Sequence, residues 1–364
     1  MRRILWCSHR DILNPLAGGA ERTTFEIGRR LVGAGYQFTI VAPVWPGAPA
    51  KDRIDGVEII RLGKYFGPHL ARLWMLYPRP KVDFVIDDLA HVVPWEGFLA
   101  NSSHGAAFFR HFHGRTIRWQ ARWPASELLG RLERSYERVY RKWPFVTESE
   151  AGRADLEHLG IARDRVHLIP PGVDLSLYHP TPKSRRPSVV YFAGLKRYKR
   201  PDVAVRVFGN VLSTHPDATL YIVGEGTERS SLVTLSAQLG LTSKVCFVGR
   251  LSLRDLASLV SSSWVNVHTS VAEGWGLSAL EAAAAGTPTV AFRVPGISES
   301  VSQGGSGLLV ADGDLAGLSN ALSATLDRHE EWTDSSRKWA ERFPWGLCAT
   351  RWSDFIENCI RGST

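Results

Sequence analysis

The chain has 364 residues, of which 44% are hydrophobic and 22% charged, with a formal net charge of +8. That length exceeds one ordinary domain and suits two with substantial cores, and the composition is that of a soluble globular protein. No apolar run approaches the roughly 18 residues of a membrane-spanning helix, and four widely spaced cysteines show neither metal-type spacing nor a disulfide framework.

The chain opens with Met1-Arg2-Arg3, a short apolar run over 4–7 and then polar groups, which reads as a first strand and not a signal peptide. Cys7 and Cys246 fall in strand-like runs and are expected to be buried free thiols in a reducing cytoplasm. A turn-rich loop through Asn14-Pro15 leads to Gly18-Gly19 and a helix over 22–33, with Phe25, Ile27, Leu31 and Val32 apolar. Gly35 ends it and a strand follows over 38–42. This is a βαβ unit with a glycine turn at its first strand-to-helix junction, the end of an α/β sheet where ligands bind. Further strands are expected at 57–61, 84–88 and 106–109. Prolines at 170, 171, 180, 182 and 187 interrupt regular structure. Strands at 188–192, 218–223, 245–248 and 264–268 then alternate with helices at 202–213, 228–239 and 253–262, the pattern of a doubly wound parallel sheet. An amphipathic helix is expected over 345–361. The domains are therefore 1–172, a linker 173–187 and a second domain 188–343, followed by a terminal segment 344–364.

Glu273-Gly274-Trp275-Gly276-Leu277 through Glu281 to Gly286-Thr287-Pro288 carries the most chemistry. It reads as a glycine-rich loop opening a helix, with Gly286 and Pro288 stopping it and a buried strand at 289–292. Free amides and the positive end of the helix dipole suit a phosphate there. Eight helical residues rise about 12 Å, which would set two carboxylates at the ends of a nucleotide-sugar.

E-G-x-G-L-x-x-L-E-A-x-A-x-G-x-P resembles the signature of retaining glycosyltransferase family 4, whose GT-B fold has two Rossmann-like domains facing a cleft. The resemblance extends over nearly the whole chain, and it implies that the terminal segment 344–364 packs back on the first domain. It implies that Glu281 holds the donor ribose, that Glu273 contacts the transferred sugar, and that the amides of Trp275, Gly276 and Leu277 face the phosphates alongside Gly274. It further implies an arginine and, five residues later, a lysine that neutralise the diphosphate. Lys199 takes the lysine position, whereas Gly194 stands where the arginine belongs, leaving Lys196 or Arg197 to supply that charge. Gly18 and Gly19 match glycines that approach the donor phosphates or the acceptor. Gly224-Glu225-Gly226 resembles the family's tight turn beside the donor, and Arg250 falls near the base. His111 and His113 lie where the family places a histidine near the transferred sugar; strand alternation would put both on one face, and His111 is preferred.

Residues 1–170 carry a net charge of +7 and residues 171–364 of +1. Arg115, Arg118, Trp119, Arg122 and Trp123 interleave cations with aromatics, and Arg131, Arg134, Arg138 and Arg141 read as one basic helix face. These suit an anionic membrane surface or a plain solvated face, and no nucleic-acid motif accompanies them.

The sequence thus predicts a cytoplasmic, metal-independent hexosyltransferase, peripheral to the membrane, with no cofactor. Its donor is a UDP- or GDP-linked sugar and its acceptor a hydroxyl on a lipid-linked or polysaccharide glycan. A non-catalytic nucleotide-sugar-binding subunit and a nucleotide-sugar epimerase are the alternatives.

Overall fold

The computed structural model describes residues 1–64, 81–89, 104–116 and 125–362. The chain forms two compact units, one of Met1–Gly172 with Trp345–Thr364, the other of Val173–Pro344.

The first unit holds an eight-stranded sheet. Its strands in chain order are β1 (Arg3–Cys7), β2 (Gln37–Val44), β3 (Lys51–Ile54), β4 (Val57–Lys64), β5 (Phe84–Asp88), β6 (Gly105–Phe109), β7 (Phe145–Thr147) and β8 (Val166–Leu168). Across the sheet they run β3-β4-β2-β1-β5-β6-β7-β8. β5 and β6 are buried along their whole length, as parallel strands covered on both faces must be. The edge departs from an all-parallel sheet: β3 pairs antiparallel with β4 through Asp55-Gly56, both at positive φ, the two-residue turn that suits a twisted hairpin.

Helix α1 (Gly19–Gly33) buries Ile27 and Leu31. The basic stretch does not form one helix face. α2 (Ala125–Glu133) and α3 (Tyr136–Val139) are separate. Between them the Ser135 hydroxyl takes the carbonyl of Leu132 at 2.6 Å, and the break lets Tyr136 and Tyr140 both enter the core. α4 (Glu150–His158) follows β7. α12 (Trp345–Arg361) belongs to this unit, with Trp345, Cys348, Trp352, Phe355, Ile356 and Cys359 forming its buried stripe. The Trp352 ring, fully buried, sits 5.1 Å from Trp6 and 5.2 Å from Phe108. Complete burial of so large a side chain contributes roughly 1.5–3 kcal/mol or more.

The second unit is a six-stranded, wholly parallel sheet of β9 (Ser188–Phe192), β10 (Thr219–Val223), β11 (Val245–Gly249), β12 (Val265–His268), β13 (Thr289–Phe292) and β14 (Gly307–Val310). Its order is β11-β10-β9-β12-β13-β14. Helices α5 (Pro201–Val211), α6 (Arg229–Gln238), α7 (Leu253–Ser262), α8 (Leu277–Ala284), α9 (Ile297–Ser300), α10 (Leu315–Asp327) and α11 (Thr333–Ala340) flank it. Cys246 is exposed, against expectation, because β11 is an edge strand and alternation turns this residue outward. Among the described residues no helix is long and apolar enough to cross a membrane.

From β9 the second unit winds outward through β10 and β11, then returns to the other side of β9 as β12, β13 and β14. The gap between the carboxyl ends of β9 and β12 is a topological switch point, the place where such sheets receive ligands.

Candidate active site

Lys199 and Glu273 meet at that switch point. Lys199 ends a 3-10 turn, Arg197–Lys199, after β9, and its Nζ forms an ion pair with Glu273 Oε1 on the loop after β12. Arg200, in left-handed conformation at φ +49°, ties the two loops together. Its guanidinium donates to the carbonyls of Thr269 (2.6 Å) and Ser270 (3.0 Å), while the Thr269 hydroxyl donates to those of Lys199 and Arg200. Glu273 Oε1 also accepts from Ser270 Oγ at 2.7 Å and lies 3.3 Å from His268 Nε2. Burial alone would push the Glu273 carboxyl up, but the charge of Lys199 and then the contact with His268 hold it well below the usual carboxylate range. Burial likewise opposes the Lys199 charge, and Glu273 overrules it, so the lysine pKa is raised.

The glycine-rich loop leads directly into α8. Gly276 caps the helix at φ +101°, and a Cβ there would stand 2.4 Å from Ile297 Cδ1, so only glycine fits. The amides of Trp275, Gly276, Leu277 and Ser278 donate to no acceptor among the described residues, which leaves a row of N–H groups at the positive end of the helix. Glu281 is buried on α8. The Trp275 ring does not share the site; it packs into the core 5.2 Å from Phe343, so only its main chain is available.

Gly224 and Gly226 line the end of β10 against the loop after β9. A Cβ on either would lie about 2 Å from the carbonyls of Ala193 and Leu195 respectively, so the two loops meet backbone to backbone. Gly194 differs: nothing lies within 4 Å of a Cβ built there. Packing does not require a glycine at this position. Lys196 Nζ and Lys199 Nζ lie 6.0 and 5.2 Å from the centre of the Tyr198 ring. Arg197 and Arg250 are exposed, Arg250 just past the end of β11.

In the first unit, Gly18 and Gly19 open α1. The Gly18 amide donates at 2.6 Å to Glu21 Oε2, and Glu21 also meets Arg10 Nε (2.9 Å) and His9 Nε2 (3.1 Å). Burial raises the Glu21 carboxyl, but its hydrogen bond and charge contact with His9, then Arg10, hold it well below the usual range. Deeper in, Arg110 pairs with Asp88 (2.7 Å) and Glu148 (3.2 Å) and donates to Thr24 Oγ1.

The two histidines do not share a strand face, because β6 ends at Phe109 and His113 starts a 3-10 turn. Their rings nevertheless lie 4.5 Å apart. Glu133 fastens His113, accepting from its amide (2.7 Å) and meeting its Nδ1 (3.0 Å), and also accepts from the Gly114 amide. His113 is buried and His111 only half-buried. Arg118, Trp119, Arg122 and Trp123 lie outside the described residues, and Arg115 ends the turn begun by His113.

Sequence reasoning did not single out His268, Ser270 or Glu133. The first ends a buried strand beside the switch point and the second lies two residues past it, and that position was the available signal.

Two α/β units, each with a doubly wound sheet, and a phosphate-type loop at the second unit's switch point define a GT-B glycosyltransferase. The model for glycosyl transferases group 1 matches residues 179–342, and that for Glycosyltransferase Family 4 matches residues 17–177. The chain belongs to this family. It is 31% identical over 240 residues to a D-inositol 3-phosphate glycosyltransferase of Corynebacterium kroppenstedtii, covering 59% of this chain and 53% of that protein. The chain thus spans about half the length of that curated relative. Among solved structures, sucrose-phosphate synthase from Thermosynechococcus elongatus superposes with a TM-score of 0.86 at 20% identity, over 100% of both chains. HepE of Anabaena, in complex with UDP-glucose, gives 0.78 at 16% identity, over 98% of this chain and 100% of that one. At such identities the likeness is one of fold.

Proposed function

We propose that the protein is a retaining, metal-independent glycosyltransferase that moves a hexose from a UDP- or GDP-linked sugar to an acceptor hydroxyl on a lipid-linked or polysaccharide glycan. The observation that carries this reading is the second unit's switch point, where Lys199 and Glu273 lie at the mouth of α8, unbonded amides follow, and Glu281 is buried inside the helix. A nucleoside diphosphate leaving group needs positive potential where its charge develops, and Lys199 with the amide row supplies it. Glu281 takes the ribose hydroxyls and Glu273 a sugar hydroxyl. Lys196 and Arg197 add charge where Gly194 supplies none. His111, half-buried beside a fastened His113, is the imidazole assigned to the transferred sugar. Retention follows from attack on the face the diphosphate leaves, with the leaving phosphate accepting the acceptor's proton. HepE, a protein of the same fold, was crystallised with UDP-glucose, which favours UDP among the donors.

The test is a thermal-shift titration with UDP, GDP and ADP, run beside Glu281→Ala. Saturation at a hundred times the dissociation constant adds about 2.7 kcal/mol of stability. One nucleotide should stabilise the wild type and not the variant; no stabilisation by any of the three rejects the donor site. Transfer to an acceptor from the matching sugar nucleotide then distinguishes a transferase from a binding subunit, and interconversion without acceptor would identify an epimerase.

A further inference from the structure

The two carboxylate oxygens of Glu273 are treated very differently. Lys199 Nζ, Ser270 Oγ at 2.7 Å and His268 Nε2 at 3.3 Å all converge on Oε1, and no hydrogen bond reaches Oε2 among the described residues. The backbone is fixed as well, since the Glu273 amide donates to the carbonyl of Pro295 at 3.1 Å.

His268 is the unexpected member of this group. Its side chain is 6% exposed at the end of β12, and its Nδ1 finds no hydrogen-bond partner among the described residues. Facing a carboxylate oxygen, Nε2 is a donor, and Nδ1 is left without a partner in the core. A buried, half-satisfied ring is costly where a valine or leucine would pack without penalty. Its one polar contact, to Glu273, is what this position gains from a histidine.

We infer that His268, with Ser270, is a positioning residue: the two grip Glu273 by Oε1, turn Oε2 toward the hydroxyls of the donor's sugar, and keep it there when Lys199 swings to the diphosphate. This rests on the donor-site reading above. Lys199 cannot serve the carboxylate and the diphosphate equally, because one ammonium group divides its charge between two anions. When the diphosphate takes it, His268 and Ser270 remain on Oε1, one at the end of β12 and the other on the loop that follows. A carboxylate held by one edge from its own loop stays in place while its cation moves.

The experiment compares UDP with UDP-glucose by calorimetric titration of the full chain, or GDP with GDP-mannose or ADP with ADP-glucose if those are the nucleotides that bind. In His268→Leu the gain in affinity from the sugar falls by about tenfold or more, while the bare nucleotide binds within about threefold of wild type. His268→Gln, whose amide nitrogen reaches about as far as Nε2, recovers most of the loss. Ser270→Ala shifts the same ratio by less, and it carries the comparison if His268→Leu does not fold. Equal weakening of nucleotide and sugar nucleotide, as a general packing defect would cause, overturns the inference, as does an unchanged ratio. Glu281→Ala guards the underlying reading: if it leaves nucleotide binding intact, the donor site is wrong and the inference falls with it.

Discussion

Both units gather charged side chains at the carboxyl ends of their strands, but they pair them in opposite ways. In the first, Arg110, Asp88 and Glu148 are all nearly buried and satisfy one another, with Thr24 and the carbonyl of Ala20 taking further donors from the guanidinium. In the second, one carboxylate oxygen collects three donors, its neighbour collects none, and a row of amides stays unbonded. A closed set of charges braces a fold; an incompletely bonded one has capacity left for a ligand. The carboxyl end of the sheet carries a brace in one unit and a candidate binding site in the other.

The sharpest way to break this contrast is Arg110→Met. It strands two buried carboxylates, and removing one partner of a buried pair costs about 3–5 kcal/mol. Calorimetry should show the transition of the first unit fall steeply while that of the second holds. A loss below about 1 kcal/mol would mean that water enters and the cluster is no brace.

A half-buried cation without a carboxylate gives the intermediate case. Lys183 Nζ donates to the carbonyl of Ser261 (3.0 Å) and to Thr287 Oγ1 (2.8 Å), and burial pushes its pKa down to about 7. Between that value and the ordinary 10.5 the unfolded chain binds the extra proton, so stability rises with pH, by at most about 1.4 kcal/mol per unit. Urea unfolding at pH 7 and pH 9 should show this rise for the wild type, and Lys183→Met should lose it. An equal slope in the variant assigns the effect elsewhere.

The smallest effect bears on the open site. Glu273→Gln removes the anion that competes for Lys199, so a bare nucleoside diphosphate should bind more tightly, by up to about tenfold, or 1.4 kcal/mol, while sugar transfer falls. Weaker nucleotide binding would show that the ion pair organises the site and does not compete with the ligand.

Much of the fold was legible because its strands are buried on both faces and read as apolar runs, as at 84–88 and 188–192. β3, with no residue buried, and β14, four residues long with glycine at its start, gave no such run. Cys246 misled for a related reason: strand composition does not say which strand is at the edge. The histidine pair misled because Phe109 ends β6, a boundary that Phe112 does not announce. At the candidate site, resemblance alone joined Lys199 to Glu273 across 74 residues. His268 and Ser270 escaped notice since no spacing rule marks a histidine that serves only to hold a carboxylate. Gly194 was conspicuous in sequence, yet only the open space around it shows that packing does not impose it.

The chain leaves the first unit at Gly172 and re-enters it at Trp345, with the Val173 amide bonded to the carbonyl of Phe343 at 2.8 Å on the other side of both crossings. The second unit is thus an insert with adjoining ends, whereas the first is assembled from segments on either side of it. On the ribosome the order of completion is inverted. Residues made first must wait, with the Trp6 face uncovered, until a whole domain has been synthesised and folded and Trp352 emerges to close it. A nascent chain halted before residue 345 should therefore bind chaperones through the older domain and not the newer one.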